Sequence, residues 1–274
     1  MKTLFNTYRN LLSDKYSSHE ISLMFRELAS KHCGVSAQKL YFLEDITCTS
    51  EQMQLMQSDL ERLKTGEPFQ YVLGYTEFCG LKLNVNENVL IPRQETSELI
   101  EWIVQSEKNP TKILDVGTGS GCIALALKKY YPNAEVWAVD KSEGALQVAT
   151  KNADETALSI NFKEVDMLSQ LHLLPQDFDI IVSNPPYIMP SEMEDMPSDV
   201  LIFEPHLALF APQDDPLIYY RAVANFAYEC SSAVYFEINP LLLSQTCDML
   251  LEIGFSEIQI NKDISKKPRM IWAK

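Results

Sequence analysis

An apolar segment that runs straight into a glycine-rich turn limits this chain to a small set of folds. Residues 113–116 read Ile-Leu-Asp-Val, and Gly117, Gly119 and Gly121 follow before a second apolar stretch begins. Glycine permits tight turns and lets a ligand lie against bare backbone, while the first turn of a helix offers unpaired N–H groups. The segment therefore predicts a strand, a ligand-binding turn and a helix in succession.

The same succession of strand, turn and helix is repeated toward the end of the chain. Helical stretches over residues 122–130 and 142–153 separate the first three predicted strands. Strands that alternate with helices indicate a doubly wound, mostly parallel sheet, which binds ligands at the carboxyl ends of its strands. We expect an α/β fold with a seven-stranded sheet, and the predicted strands cover residues 112–116, 135–139, 161–165, 179–182, 233–238, 257–260 and 270–273. The last of them is predicted to be an edge strand.

In the first part of the chain, apolar residues recur at the spacing of helix turns instead. Ser17 with Glu20, and Thr49 with Gln52, have the spacing of capping boxes, which begin helices. Apolar side chains share a helix face in three groups, which are Leu4, Phe5, Tyr8, Leu11 and Leu12; Ile21, Met24, Phe25 and Leu28; and Met53, Met56, Leu60 and Leu63. We predict a small helical bundle over residues 1–67, with these side chains as its core.

Residues 68–92 are predicted to form a β-hairpin that connects the helical bundle to the sheet domain. Glycines separate short segments there, and the segments include strand-type residues such as Tyr71 and Val72. Residues 93–274 then form the sheet domain, which is expected to begin with a helix near residues 96–104.

The balance of charge disfavours nucleic acid as a partner. The chain has 23 Lys and Arg residues against 38 Asp and Glu residues, a formal net charge of −15, and nearly all of the acidic excess follows residue 75. Nucleic-acid binding normally requires a basic surface, because neutralising phosphates supplies most of the affinity. The composition favours a small molecule or a basic protein as the partner.

Cysteine usage and hydropathy predict a cytoplasmic protein. The six cysteines are scattered, with no C-x-x-C pair and no histidine at ligand spacing, so neither a zinc site nor a disulfide framework is expected. No stretch approaches the roughly 18 apolar residues that would span a bilayer. We expect free thiols, no metal and no membrane contact.

Carboxylates at two further strand ends indicate a nucleoside ligand. Asp140 ends the second predicted strand about 20 residues after the glycine turn, where a carboxylate can accept hydrogen bonds from both ribose hydroxyls. Asp166 and Met167 end the third strand, where Asp166 is expected to face an adenine amino group and Met167 to pack on the ring. Together with the glycine turn, Asp140 predicts a nucleoside cofactor, although the G-x-G-x-G spacing departs from the G-x-G-x-x-G of dinucleotide binders.

The most specific segment is the loop Asn184-Pro185-Pro186-Tyr187, which follows a buried-type strand. Two successive prolines remove two backbone donors, so the loop presents carbonyl acceptors, and the Asn184 side chain adds another. Such a loop suits an NH₂ group, whose two hydrogens would point to the Asn184 oxygen and a proline-loop carbonyl. The nitrogen lone pair would then face a methyl donor, and Tyr187 is expected to wall the pocket and stack on the planar substrate group.

Taken together, these segments resemble a known group of enzymes. In this order and spacing they are similar to the class I S-adenosylmethionine-dependent methyltransferases that act on planar amino groups. Four further segments narrow the resemblance to the release factor glutamine methyltransferase family, and they cover residues 68–74, 77–80, 90–96 and 204–209. The resemblance extends from about Leu4 to Arg269.

The resemblance implies an activity and a set of site residues. That family methylates the side-chain amide nitrogen of the glutamine in the Gly-Gly-Gln motif of bacterial class I peptide-chain release factors. By resemblance, residues 93–274 form the catalytic domain, residues 1–67 recognise the substrate, and Thr96 and Glu95 lie near the methionine end of the cofactor. The implied cofactor-binding residues are Gly117, Thr118, Gly119, Ser120, Gly121, Asp140, Met167 and Asn184. The implied catalytic residues are Asn184, Pro185 and Tyr187, which bind the glutamine together with Pro186.

Three positions depart from the usual pattern of the family. Gln94 stands where the family usually has Pro, Ser97 where it usually has Glu, and Asn239 where it usually has Gly. They bear on the start of the helix after Arg93 and on the turn after Ile238. We expect none of them to touch the Asn-Pro-Pro-Tyr loop.

Two other functions fit parts of the pattern. A nucleic-acid methyltransferase could hold an exocyclic amino group of a base in the same loop, but Glu192, Glu194, Asp195 and Asp199 follow the loop and would repel phosphates. A non-catalytic scaffold would not need both the glycine turn and the Asn184 loop. Glutamine methylation is therefore the main prediction.

Overall fold

A computed structural model of the protein describes residues 1–35 and 48–274. The described chain divides into two compact units, Met1–Tyr75 and Thr76–Lys274. The finer division of the sequence into a bundle, a connector and a catalytic domain stays a prediction.

The N-terminal unit consists of helices packed around an apolar core. Its helices are α1 (Lys2–Leu12), α2 (Ser18–Cys33), α3 (Ser50–Thr65) and α4 (Phe69–Leu73). Both predicted capping boxes are present, with Ser17 before α2 and Thr49 before α3. The helical bundle is confirmed where the structure describes it, and residues 36–47 of the predicted bundle lie outside the described residues.

Leu11 does not take its predicted place in this core. Leu4, Tyr8 and Leu12 recur every four residues along α1 and are buried, whereas Leu11 is 48% exposed. Because successive helical residues are rotated by about 100°, Leu11 lies beside the buried stripe rather than within it.

Residues 69–73 form a helix, although Tyr71 and Val72 are predicted to be part of a hairpin. The helix begins after Pro68 and ends at Gly74, whose φ of 85° is the left-handed conformation that commonly ends helices. Tyr71 and Val72 are both buried. Packing within the N-terminal unit therefore outweighs their intrinsic preference for strands.

A β-hairpin follows α4 and is shorter than predicted. Its strands are β1 (Tyr75–Phe78) and β2 (Leu81–Asn84). Cys79 and Gly80 form the turn, and both have positive φ, of 48° and 66°. Positive φ at both central residues is typical of the tight hairpin turn that matches strand twist.

The second unit contains the predicted seven-stranded sheet. Its strands are β3 (Lys112–Val116), β4 (Glu135–Asp140), β5 (Asn161–Glu164), β6 (Ile180–Ser183), β7 (Ala233–Glu237), β8 (Ile258–Lys262) and β9 (Pro268–Ala273). Their order across the sheet is β5-β4-β3-β6-β7-β9-β8. The first five pair in parallel, and β9 is antiparallel to both of its neighbours. The mostly parallel α/β fold is confirmed.

The prediction that the last strand lies at the sheet edge is wrong. β9 lies between β7 and β8, so the edge strands of the sheet are β8 and, on the other side, β5. Met270, Ile271 and Ala273 in β9 are fully buried, whereas no residue of β8 is. A strand covered on both faces suits an interior position, and the spacing of apolar residues does not report which strands are neighbours.

Helices cover both faces of this sheet. They are α5 (Gln94–Ser106), α6 (Cys122–Tyr130), α7 (Glu143–Thr156), α10 (Ile218–Glu229) and α11 (Leu243–Ile253). Two short helices, α8 (Ser198–Phe203) and α9 (His206–Leu209), lie between β6 and α10 in the chain. Successive residues of a strand point to opposite faces. Accordingly, Ile113 belongs to the core formed with α5 and α6, and Leu114 to the core formed with α10 and α11.

The topology brings the predicted site residues together at the carboxyl ends of neighbouring strands. β4 lies on one side of β3 and β6 on the other, so the segments that follow these strands meet at the point where the strand order reverses. Ser183 Oγ donates to the carbonyl oxygen of Val116 across 2.6 Å, which joins the ends of β6 and β3. The glycine turn and the Asn-Pro-Pro-Tyr loop begin directly after these two residues.

Candidate active site

A pocket opens at the carboxyl ends of β3, β4, β5 and β6. It encloses about 1000 Å³, including its open mouth, which is in the range of small-molecule sites. The predicted site residues in its lining are Gly117, Thr118, Gly119, Ser120, Asp140, Asp166, Met167, Asn184 and Pro186. The structure therefore brings together residues that the sequence places at four separate strand ends.

Three glycines shape the turn after β3. Gly117, Gly119 and Gly121 have φ of 77°, 55° and 82°, a backbone region that other residues rarely adopt. A Cβ on Gly121 would lie 3.2 Å from Ala149 Cβ, so this glycine allows α6 and α7 to approach closely. A Cβ on Gly119 would meet no atom of the described residues within 4 Å. Gly119 thus presents bare backbone to the pocket.

Asp140 is held by two backbone groups at the end of β4. Its Oδ2 accepts from the N–H of Gly119 across 2.9 Å, and its Oδ1 accepts from the N–H of Ser142 across 2.9 Å. Burial raises the pKa of Asp140, while the hydrogen bonds from Ser142 and Gly119 oppose the rise. Each carboxylate oxygen can accept a further hydrogen bond, so the side chain is oriented to accept from two neighbouring hydroxyls.

Asp115 lies fully buried beside the glycine turn. Its Oδ2 accepts from Thr118 Oγ1 across 2.6 Å and from the N–H of Ala124 across 3.2 Å. Burial raises its pKa to about 7. Its Oδ1 and the buried Ser120 Oγ have no hydrogen-bond partner among the described residues. Buried polar atoms without partners are rare, so this part of the turn suits a polar ligand.

Met167 packs against the glycine turn from the end of β5. A Cβ on Gly117 would come within 3.2 Å of Met167 Cε. The neighbouring Asp166 uses its Oδ1 to accept from the N–H of Leu168 across 3.0 Å. Both side chains line the pocket, and their predicted contacts with an adenine ring stay predictions.

Asn184 is fixed by a threonine on α5. Its Nδ2 donates to Thr96 Oγ1 across 3.2 Å, and Thr96 Oγ1 donates to Glu237 Oε2 across 2.6 Å. Thr96 lines the pocket together with Asn184, as the resemblance implies, whereas Glu95 is not part of the lining. With its nitrogen engaged in this way, Asn184 Oδ1 forms no hydrogen bond within the described residues.

Tyr187 turns away from the pocket lining. Its ring packs against the core on the α10 and α11 face, and its hydroxyl donates to Glu237 Oε1 across 2.9 Å. Burial raises the pKa of Tyr187 well above its usual value, and the nearby Glu237 charge adds to the rise. Pro185 is buried, and Pro186 is the proline that lines the pocket. The predicted stacking of Tyr187 on the substrate stays a prediction.

Sequence reasoning assigns no role to Glu237, yet this residue binds two of the site residues directly, Thr96 and Tyr187, and a third, Asn184, through Thr96. It stands at the end of β7, is 1% exposed, and accepts from both Thr96 and Tyr187. Burial raises its pKa, while these two hydrogen bonds and the Arg269 charge oppose the rise. An acidic residue at the carboxyl end of an apolar central strand is the sequence signal that could have found it.

The expectation that Asn239 does not touch the loop is wrong. Asn239 Nδ2 donates to the carbonyl oxygen of Tyr187 across 3.1 Å and to Glu192 Oε2 across 2.7 Å. The contact arises because β7 pairs in parallel with β6, so the segments after these strands are neighbours. Ser97, by contrast, donates to the carbonyl oxygen of Gln94 at the start of its own helix.

One of the four acids predicted to repel phosphates also has a structural role. Glu192 Oε2 accepts from the N–H of Met189 across 2.9 Å as well as from Asn239. Glu194 and Asp195 are exposed, and Asp199 is partly exposed. Glu192 is partly exposed as well, so all four acids remain accessible near the loop while Glu192 also holds Met189 and Asn239.

A second buried acid links two segments of the pocket wall. Glu204 is 3% exposed, accepts from the N–H of Ile91 across 3.2 Å and pairs with Arg93. Arg93 and Pro205 both line the pocket. The ion pair therefore fixes the start of α5 to the segment that leads into α9.

Comparison with known proteins places these features in a family. Residues 95–208 match the family model described as Methyltransferase small domain, and residues 3–74 match the PrmC N-terminal domain. The release factor glutamine methyltransferase of Bacteroides thetaiotaomicron is 38% identical over 97% of this chain and 96% of its own length. The chain belongs to the release factor glutamine methyltransferase family. Family members from Flavobacterium psychrophilum (41% identity, 95% and 94% of the two chains) and Bacillus subtilis (32% identity, 100% and 98%) agree with this assignment.

Solved structures of more distant proteins share the fold. The hMettl16 catalytic domain in complex with MAT2A 3′UTR hairpin 1 aligns with a TM-score of 0.58 and 14% identity, over 91% of this chain and 90% of that one. The human methyltransferase 10 domain containing protein aligns with a TM-score of 0.51 and 18% identity, over 71% and 89%. These similarities show a class I methyltransferase fold.

The pocket fits the cofactor that this class of methyltransferases uses, S-adenosylmethionine. Ser120 lines the pocket, and its Oγ has no hydrogen-bond partner among the described residues, so it can bind a polar ligand. The space next to Gly119 admits a ligand against the backbone. No group of three or more His, Cys, Asp or Glu side chains within the described residues is arranged to hold a metal ion.

Proposed function

We propose that the protein transfers a methyl group from S-adenosylmethionine to the side-chain amide nitrogen of the glutamine in the Gly-Gly-Gln motif of bacterial class I release factors. The observation that carries the proposal is the Asn184 side chain, whose nitrogen is engaged by Thr96 and whose oxygen is left to accept from a substrate NH₂ group. The full-length relatives named for this reaction support the choice of substrate.

The residues around the glycine turn would hold the cofactor. Asp140 would accept from the ribose hydroxyls, Met167 would pack on the adenine ring, and the Gly117–Gly121 turn would lie against the methionine portion. Bound S-adenosylmethionine supplies an electrophilic methyl carbon on a sulfonium ion. No residue of the chain has to act as a nucleophile.

The Asn-Pro-Pro-Tyr loop would orient the glutamine. An amide nitrogen is a poor nucleophile because its lone pair is conjugated with the carbonyl group. Asn184 Oδ1 and a carbonyl of the proline loop, at Pro185 or Pro186, would each accept one N–H of the substrate. The nitrogen lone pair then points at the methyl carbon, so catalysis comes from positioning and from preorganised acceptors. As the C–N bond forms and the C–S bond breaks, one amide proton is released.

The remaining proposals concern the partner and its location. We propose that residues 1–67 recognise the body of the release factor and that neither nucleic acid nor a membrane is a partner. Release factors act in the bacterial cytoplasm, so we propose that compartment. In the ranges that the structure describes, every helix is too short or too polar to cross a bilayer.

A labelling experiment tests the substrate. Purified release factor, total RNA and duplex DNA are each incubated with the protein and S-adenosylmethionine that carries an isotopic methyl label. We expect label only in release factor, on the Gly-Gly-Gln peptide identified by mass spectrometry. Release factor with Glu in place of the motif Gln is the matched control and should stay unlabelled. Label in RNA or DNA would instead support the alternative, a methyltransferase that acts on an exocyclic amino group of a base.

A further inference from the structure

We propose that Glu237 is a positioning residue that acts through Thr96 to hold the Asn184 side-chain amide with its oxygen toward the substrate. This proposal rests on the proposed methylation of an amide nitrogen and assigns how the same site is oriented. Glu237 does not itself line the pocket, whereas Thr96 and Asn184 do, so its effect must pass through these neighbours.

An unbroken chain of hydrogen bonds joins Glu237 to Asn184 through the Thr96 hydroxyl. Glu237 is 1% and Thr96 is 2% exposed, so water does not compete for these bonds. Tyr187 binds the second carboxylate oxygen and thereby fixes the rotation of the carboxylate. One oxygen of the Glu237 carboxylate is therefore held by Tyr187, and the other accepts from Thr96, which lies on α5.

The direction of these bonds follows from the number of protons. A carboxylate can only accept, and a hydroxyl has a single proton. Thr96 therefore donates its proton to Glu237, and its oxygen can only accept from Asn184. Of the two ends of the Asn184 amide, only the NH₂ end can donate. Glu237 thus determines that Oδ1 is the end left for the substrate.

The alternative orientation of the amide has nearly the same shape but the opposite polarity. It would place Oδ1 against a hydroxyl oxygen whose proton is already used. It would also turn the Asn184 NH₂ group toward the N–H groups of the substrate amide, where donor meets donor. Without Glu237 the shape of the site does not select between the two orientations, and turnover should fall while cofactor affinity is kept.

Thr96→Val and Thr96→Ser form a matched pair that tests this role. Valine has nearly the size of threonine and no hydroxyl, whereas serine keeps the hydroxyl. We expect Thr96→Val to lower kcat on release factor by about tenfold to a hundredfold, with the Kd for S-adenosylmethionine changed by less than about threefold. Thr96→Ser should stay close to wild type. Glu237→Gln permits either orientation of the Asn184 amide, so its kcat should lie between the values for Thr96→Val and Thr96→Ser. A Glu237→Gln variant with wild-type kcat would overturn the proposal.

A double-mutant comparison separates positioning from general support of the fold. If Thr96 acts through the Asn184 amide, Thr96→Val should cause no further loss of kcat in an Asn184→Ala background. An equal loss in both backgrounds would show a merely structural role and overturn the proposal.

The orientation of the Asn184 side-chain amide can also be tested without measuring methyl transfer. In ¹⁵N-labelled protein, the side-chain NH₂ resonances of Asn184 are identified by their absence in Asn184→Ala. We expect Thr96→Val to shift them and Thr96→Ser to leave them in place. Unchanged resonances in Thr96→Val would overturn the positioning role even if release factor is methylated. Failure of the wild-type protein to label release factor would reject the proposed function instead, and the resonances would still decide whether Thr96 holds the Asn184 amide.

Discussion

The backbone N–H of Gly119 donates to Asp140 Oδ2 across 2.9 Å and so joins the turn after β3 to the end of β4. The bond orients a carboxylate beside a glycine that presents bare backbone to the same pocket. Two features that the sequence shows about 20 residues apart therefore form one surface of the candidate cofactor site.

Asp140→Ala should weaken S-adenosylmethionine binding by at least about tenfold, because hydrogen bonds to a charged acceptor each contribute about 1.5–3 kcal/mol. The residue lies at a strand end, so we expect the fold to be kept. Binding is measured by calorimetry and the fold by circular dichroism. Glu164→Ala removes the same charge from an exposed position at the end of β5 and serves as the control. Equal affinities for the two variants would contradict the assignment of Asp140.

Gly119→Val should abolish cofactor binding at a small cost in stability. Positive φ strains any residue with a Cβ, by about 1–2 kcal/mol, but no atom of the described residues lies within 4 Å of a Cβ at this position. The valine side chain would instead occupy the space next to residue 119 that the cofactor needs. Gly34→Val is the control, because Gly34 has a φ of 65° and a Cβ there also meets no atom of the described residues within 4 Å, but Gly34 is not part of the pocket lining. The prediction fails if Gly119→Val binds the cofactor as well as Gly34→Val does.

Asn184→Ala should keep cofactor affinity within about tenfold and lower kcat by at least about a hundredfold, because the lost acceptor matters mainly in the transition state. Calorimetry and methyl transfer to release factor measure the two quantities. Asn161→Ala, on an exposed residue at the start of β5, should change neither. Near-normal turnover of Asn184→Ala would reject the role of the loop.

Local features of this chain could be predicted from sequence, and contacts between distant elements could not. Glycines, capping boxes and apolar spacing act within a few residues, which is why α6 and the turn before it are located correctly. Thr96 and Glu237 are separated by 141 residues, and only the order of the strands brings them together. Asn239 and the interior position of β9 were missed for the same reason. In α4, burial in the N-terminal unit overrides a local preference that the sequence does show.

The free energy of unfolding should depend on the ionisation of Asp115. Its folded pKa is about 7, against about 4 in an unfolded chain. Between these values the folded state binds more protons at Asp115 than the unfolded state does, so the contribution of Asp115 to stability is fully present below about pH 4 and is lost as the pH rises through about 7. Asp115→Asn keeps an oxygen for Thr118 and Ala124 and cannot ionise. Denaturant unfolding of both proteins without cofactor, at about pH 5 and pH 8, should show a smaller loss of stability with pH in Asp115→Asn. Parallel pH dependence of the two proteins would contradict a buried, titrating Asp115.

Removal of residues 1–67 should impair methylation of whole release factor far more than methylation of a Gly-Gly-Gln peptide. The N-terminal unit has its own core, and the described residues that line the candidate pocket belong to the second unit. A peptide needs the pocket alone, whereas a folded partner can gain affinity from contacts remote from the reacting amide, which orient that amide for reaction. Calorimetry with S-adenosylmethionine first establishes that the truncated protein still folds and binds cofactor. We then expect kcat/KM to fall by at least about tenfold for the whole factor and to change little for the peptide. An equal fall for both substrates would show that the helical unit supports the catalytic unit and does not recognise the substrate.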